Sequence, residues 1–354
     1  MEDENLITNE ELEQIFYFRP SIKRLRIILM FFMCINLFGF PTAFGGFVQT
    51  VCGFVPLAFF ILSGYLVLRE GENRSEQIVR AIKRCAIVFA VLAVVYFAMN
   101  FFYYRMQGVN IFSAFASKRL WFNFVVLNVW PFDIGGAIWY VQALLYAYII
   151  IYFLDKWNLL RFDWLIAAVL IVFAVVTGEL AGVIRWEFLG YYYIPGNFFT
   201  RALPYVLLGS FMHRNMKRLG RVWRLWYLCG ILGGMILTVV EILLLGYLGV
   251  PGYYGHLIGM GVTAVSVCML AFQDDFPEPG FEAILKMSRW HINCIYYLCQ
   301  PVSIGVVLLL SVASGATLAD SVGFIGIVTF IICFFLAWLI AYLSRMVFKR
   351  KING

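Results

Sequence analysis

Apolar runs close to 20 residues long recur along the whole of this 354-residue chain, separated by short polar breaks. A run of that length crosses about 30 Å of hydrocarbon as an α-helix. Composition agrees: 63% of the residues are apolar and 13% charged, against roughly 45–50% and about 25% in a soluble domain. The sequence therefore predicts an all-α integral membrane protein. Windows at 27–46, 48–68, 85–104, 137–154, 163–183, 202–213, 225–249, 257–273, 292–312 and 322–344 give about ten transmembrane helices. The sixth is short for a span and can extend through "IPGNFFT" or lie partly in the interface.

The positions of lysine and arginine orient these windows, because cytoplasmic loops carry the excess. With both termini cytoplasmic, 22 of the 27 basic residues fall on the inner side, leaving only Arg105, Lys118, Arg119, Arg185 and Arg201 outside. The expected organisation is a cytoplasmic segment 1–24, a transmembrane domain 25–345 and a basic cytoplasmic tail 346–354. The net charge of +7 then serves contact with anionic membrane lipid rather than with nucleic acid. "MEDENLITNEELEQIFYF" has no basic stretch ahead of an apolar core, so no cleaved leader is expected. All eight cysteines lie within or at the ends of apolar runs, with neither a disulfide framework nor a CxxC metal site. The outer stretch "LWFNFVVLNVWPF" is apolar but too short and interrupted to span, which suits a re-entrant or interfacial piece over a cavity.

Charged groups in hydrocarbon cost about 2.5–3.5 kcal/mol each on insertion scales, so those that persist face a cavity or a partner. Glu241 ("LTVVEILLL") and Glu179 ("VVTGELAGV") meet that description. Each reads either as a substrate contact or proton acceptor, or as half of a buried structural pair with Arg201 or a tyrosine. Asn36, Gln142, Asn293 and Gln300 are cheaper to bury and commonly join helices by hydrogen bonds. Pro301 removes a backbone donor and loosens the turn before it, which makes Gln300 a candidate cavity wall. The three histidines, His213, His256 and His291, stand at span edges without a helical partner for a metal, so no metal is expected. "KMSRWH" gathers Lys286, Arg289 and His291 at one membrane face, where they could meet phosphates. No GxSxG, P-loop, GxGxxG or HExxH motif occurs, and the Gly230 to Gly234 spacing fits close helix packing.

Five stretches, in order, resemble the acyltransferase-3 family of bacterial membrane acyltransferases. They are "VPLAFFILSGYLVLRE" with Ser63, Gly64 and Tyr65; "RAIKRC" with Arg80, Lys83 and Arg84; "GGAIWYVQALLYAYII" around Trp139; "TRALPYVLLGSFMHR"; and "ILKMSRWHINCIYYLCQPV". The resemblance implies transfer of an acyl group, often acetyl from acetyl-coenzyme A, to a cell-envelope carbohydrate or lipid acceptor at a bacterial inner membrane. It also implies a first-span histidine about eleven residues after an arginine, acting as general base on the acceptor hydroxyl. Counting from Arg26, this chain has Asn36 and Leu37 there, and Gln300 stands where many members carry a late histidine.

The site expected on this basis has Asn36, Glu241 and Gln300 as catalytic residues. Arg26, Arg80, Lys83, Arg84 and His291 would hold the acyl-coenzyme A donor, and Ser63, Trp139, Gln142, Arg201 and Tyr297 would line the substrate cavity. Asparagine and glutamine can orient a hydroxyl or donate to an oxyanion but cannot accept a proton at neutral pH. The alternative is a scaffold that has lost the usual chemistry and acts as an exporter, a permease or a membrane partner for an envelope precursor.

Overall fold

The computed structural model describes residues 20–38, 43–67, 73–106, 108–110, 112, 117–180, 183, 197–250, 257–273, 289–314 and 325–352. The expected 1–24 segment and 346–354 tail fall largely or partly outside them, as do His256, Lys286 and the side chains of Glu179 and Arg289. All regular structure among the described residues is helical. The helices are α1 (Pro20–Phe38), α2 (Ala43–Val51), α3 (Phe54–Val67), α4 (Arg74–Met106), α5 (Lys118–Val125), α6 (Ile138–Lys156) and α7 (Asp163–Val175). After a wide turn at Phe198–Ala202 come α8 (Leu203–Arg214), the short α9 (Met216–Leu219), α10 (Arg224–Tyr247), α11 (Ile258–Phe272), α12 (Arg289–Ser314) and α13 (Ile325–Ile352).

Among the described residues six stretches are long and apolar enough to cross a membrane: Gly45–Val67, Arg74–Met106, Ile138–Lys156, Leu159–Gly178, Arg224–Tyr247 and Ile325–Leu343. The chain is a multi-pass helical membrane protein. Each apolar window overlaps helix among the described residues, with shifted ends. Helix already covers Pro20, ahead of 27, and α4 begins at Arg74 rather than 85, because polar ends continue the backbone ladder beyond the apolar run. The span Gly45–Val67 is broken by a turn at Cys52 and Gly53, which separates α2 from α3.

α3 is the axis of the bundle. In the most apolar 18 residues of Gly45–Val67 83% are buried inside the protein, against 17% in those of Arg224–Tyr247, so α3 is central and α10 peripheral. α3 packs chiefly on α8 and then on α11. Two glycines permit the first contact: a Cβ on Gly64 would overlap the backbone of Val206, and one on Gly209 would overlap the carbonyl of Ile61. No other residue lets two backbones approach so closely. α4 pairs with α6, α12 with α13, and α1 lies against α12, α13 and α3.

Polar ties hold the ends. Asp163, fully buried at the start of α7, pairs with Arg214 at the end of α8, and Arg214 Nη2 also donates to the Leu160 carbonyl at 3.0 Å. Ser75 Oγ donates to Asp155 at 2.6 Å, joining the start of α4 to the end of α6. All eight cysteines are free thiols, Cys229 exposed and the others buried.

Candidate functional site

The question raised by Gln300 has a geometric answer. Tyr296 and Gln300 are one turn apart on α12 and so share a face. Both reach Gly136, just before α6: the Gly136 N–H donates to Gln300 Oε1, and Tyr296 Oη donates to the Gly136 carbonyl at 3.1 Å. Residue 136 is glycine for a reason of space, since a Cβ there would lie 2.8 Å from Gln300 Oε1. Pro301 stands inside α12, where its missing N–H leaves a carbonyl one turn earlier without its helical donor. Ser303 Oγ donates to the Gln300 carbonyl at 2.9 Å.

The peptide segment leading into Gly136 is pinned from other sides. Asn100 of α4, wholly buried, takes the Ile134 N–H on its Oδ1 at 3.0 Å and donates to the Ile134 carbonyl at 2.6 Å. Trp130 Nε1 donates to the same carbonyl at 2.9 Å, and Tyr104 Oη donates to Asp133 at 2.9 Å. Asn128 Nδ2 reaches the Trp139 carbonyl at 3.0 Å. Gln142, 1% exposed, donates to the Phe124 carbonyl at 2.7 Å and to Tyr146 at 3.1 Å. The stretch read as re-entrant or interfacial is thus the short helix α5 and a fixed loop. Trp121, Phe122 and Val125 are exposed on it, while half-buried Phe124 packs on Trp130.

On the neighbouring side, Ser63 Oγ lies 3.1 Å from Tyr140 Oη, and Tyr148 Oη donates to the Ser63 carbonyl at 3.3 Å. The Tyr140 ring stacks on Phe60 at 4.6 Å and meets Tyr296 edge to face at 5.7 Å. Trp139 stands against Phe60 at 6.2 Å. Tyr297 adjoins Tyr296, and its carbonyl accepts from Tyr96 Oη at 3.3 Å. Tyr140 of α6 thus bridges Ser63 of α3 and Tyr296 of α12, with Trp139, Tyr297 and Gln300 one to four residues from these two tyrosines and Gln142 further along α6. Gln300 Oε1 and backbone carbonyl have partners, whereas its Nε2 donors meet no acceptor among the described residues.

Other expected site residues are engaged elsewhere. Asn36 Nδ2 donates to the Gln49 carbonyl at 2.9 Å, and Gln49 Nε2 donates back to the Asn36 carbonyl at 2.6 Å, a clasp between α1 and α2. Glu241 accepts the Ile258 N–H at 3.1 Å and the Gly259 N–H at 2.9 Å. It caps α11 from α10, where a carboxylate complements the positive end of the helix. No hydrogen bond links either residue to Gln300 or Ser63. Arg26 is buried on α1 at 6% exposure, whereas Arg80, Lys83 and Arg84 are exposed in the first half of α4. Arg201 is half-buried in the turn before α8. His291 is half-buried near the start of α12, nine residues before Gln300, which is about 13 Å along a helix.

Asn100, Tyr140 and Tyr296 escaped the sequence reading. Asn100 carried a signal, an amide in the second turn from the end of a long apolar helix. The two tyrosines carried none that separates them from the other tyrosines of an aromatic-rich chain. No protein-family model, curated protein or solved structure matches the chain.

Proposed function

We propose that the chain crosses the membrane ten times with both termini in the cytoplasm and transfers an acyl group, in the first place acetyl, from a coenzyme A thioester to a hydroxyl of an envelope glycan or lipid. One observation carries this reading. Three separate stretches that resemble the acyltransferase-3 family supply Ser63, Trp139 and Gln300, and these are linked through Tyr140, Phe60, Tyr296 and Gly136: Ser63 to Tyr140, Trp139 and Tyr140 to Phe60, Tyr140 to Tyr296, and Tyr296 and Gln300 to Gly136. The Gln300 amide is a donor suited to a thioester carbonyl or to the oxyanion formed from it. The Ser63 and Tyr140 hydroxyls suit a hydroxylated acceptor. Arg26, with Arg80, Lys83 and Arg84, holds the donor's phosphates from the cytoplasmic side. The Lys and Arg asymmetry supports the orientation.

A second reading, a non-enzymatic exporter, permease or membrane partner for an envelope precursor, is favoured by the proton balance. A hydroxyl attacking a thioester must lose a proton to a positioned base. The Glu241 carboxylate is occupied at the α11 cap, and His291 stands a helix segment away from Gln300. Incubating the reconstituted protein with radiolabelled acetyl-coenzyme A and envelope fractions separates the two. Acyl transfer that falls at least tenfold in Gln300→Leu supports the first. Complete lack of transfer, self-labelling and hydrolysis supports the second.

A further inference from the structure

Between Cys85 and Tyr104 the α4 sequence holds one amide and no charge, and that amide is Asn100, wholly buried. A carboxamide in such surroundings is costly unless it is hydrogen-bonded. Asn100 Nδ2 donates to the Tyr96 carbonyl at 2.7 Å, one turn earlier in α4, and to the Ile134 carbonyl at 2.6 Å, while Oδ1 accepts the Ile134 N–H at 3.0 Å. Turning the amide over would set its oxygen against two carbonyls, so its orientation is fixed. Asn100 thus does for Ile134 what a residue of a neighbouring antiparallel strand does, serving its N–H and its carbonyl together.

The residues after Ile134 need such an anchor. Gly135 and Gly136 follow it, and glycine loses more conformational freedom on ordering than any other residue. Neither position has room for a side chain, since a Cβ on Gly135 would overlap the Trp130 ring and one on Gly136 would lie 2.8 Å from Gln300 Oε1. The Gly135 carbonyl accepts the Ile138 N–H at 2.9 Å where α6 opens. The Gly136 N–H donates to Gln300 Oε1, and its carbonyl accepts from Tyr296 Oη. The placing of the Ile134 peptide therefore decides where the Gly136 N–H points. We infer that Asn100 is a positioning residue: by fixing Ile134 it holds the Gly136 N–H on Gln300 Oε1, and so sets the direction of the Gln300 Nε2 donors. That these donors act on a substrate rests on the function proposed above; that Asn100 sets their direction does not. Leucine would fill the volume without any of the three bonds, and aspartate would keep the shape without the Nδ2 donors.

The test has two arms, both on the full-length protein in nanodiscs. The first is residue-resolved amide hydrogen exchange, which needs no activity. In Asn100→Ala the Gly136 amide exchanges about tenfold faster or more, while the amides of α10 and α11 keep their wild-type rates; a merely structural asparagine would speed all of them alike. The second arm is transfer from radiolabelled acetyl-coenzyme A. Asn100→Ala lowers transfer about tenfold or more in the wild-type background and no further in the Gln300→Leu background, where nothing is left to position. Should Asn100→Ala fail to fold, Asn100→Asp must give the same local exchange and the same non-additive pattern. Equal losses of transfer in both backgrounds, or a Gly136 amide that exchanges no faster than those of α10 and α11, overturn the inference. If the wild type transfers nothing, the acyl-transfer reading falls, and exchange at Gly136 alone decides whether Asn100 holds the Gln300 pose.

Discussion

At the α10–α11 pair Glu241, Thr238 and Thr263 are all matched within the protein. Glu241 gives both carboxylate oxygens to the amides that open α11, and Thr238 and Thr263 each donate to the carbonyl one turn earlier, at 2.9 and 2.8 Å. At the junction of α3, α6 and α12 the polar groups are equally well placed, but Gln300 keeps its Nε2 donors without a partner among the described residues. Both regions put polar atoms among apolar helices. The difference teaches that membrane depth alone does not mark function. A polar residue whose hydrogen bonds are all made inside the protein holds helices together, and one with donors left over is equipped to hold something else.

The largest expected effect belongs to the matched region. Gly234 and Gly259 face each other, and a Cβ on Gly259 would overlap the Gly234 carbonyl and the Thr238 amide. Both obstacles are backbone or lie close to it, so no rotamer change relieves them. Gly259→Leu is expected to destabilise the protein by about 3 kcal/mol or more, read as loss of a monodisperse peak after detergent extraction. Glu241→Ala should cost about 1–2 kcal/mol, since it removes a helix cap, and should leave acyl transfer unchanged in the protein that folds. A loss of transfer in Glu241→Gln with unchanged melting temperature would move Glu241 into the functional group and erase the contrast between the two regions.

Gln300→Leu gives the opposite pattern. It removes one hydrogen bond, worth about 1 kcal/mol, so melting changes modestly while transfer or precursor binding falls at least tenfold. Gly136→Ala sharpens this, because the added methyl meets the flexible end of the Gln300 side chain rather than backbone. The carboxamide swings aside at a cost of about 1 kcal/mol, and the functional loss should approach that of Gln300→Leu. If Gly136→Ala is functionally silent, the Gly136 contact does not set the pose of Gln300.

What was legible in the sequence follows from which forces act locally. Hydrophobic length locates helices without tertiary information, so each apolar window overlaps helix, and among the described residues six stretches meet the length and composition of a span. Pro301 and Gln300 also stood out, because proline and a carboxamide break the apolar rule visibly. The turn at Cys52 and Gly53 did not, since nothing in "VQTVCGFV" is polar enough to interrupt an apolar run. Asn36 and Glu241 were selected for their depth, but depth does not reveal a partner. Gln49 lies 13 residues from Asn36 and the α11 amides 17 and 18 from Glu241, distances that only the packed helices close. Residues such as Tyr296, which acts on Gly136 from 160 residues away, are recognisable only after the chain has folded.

The smallest expected effect tests whether the Asn36 clasp belongs with the matched region or with the open one. Asn36 and Gln49 donate to each other's backbone carbonyls, so each side chain supplies one hydrogen bond between α1 and α2. Two such bonds within a membrane bundle couple by about 0.6 kcal/mol, with an upper bound near 2. A double-mutant cycle of Asn36→Ala and Gln49→Ala, read by thermal or denaturant unfolding, should return a small positive coupling. The two single variants should lower transfer or binding equally and little, because each loosens the same turn. Asn36→His, which puts an imidazole where the resemblance calls for one, sharpens the comparison further. The ring cannot reproduce the amide geometry, so it should lose the clasp and gain no activity. An Asn36→Ala variant that abolishes transfer while Gln49→Ala does not would show that Asn36 acts on a substrate beyond its bond to Gln49, and the first span would then join α3, α6 and α12 in the working site.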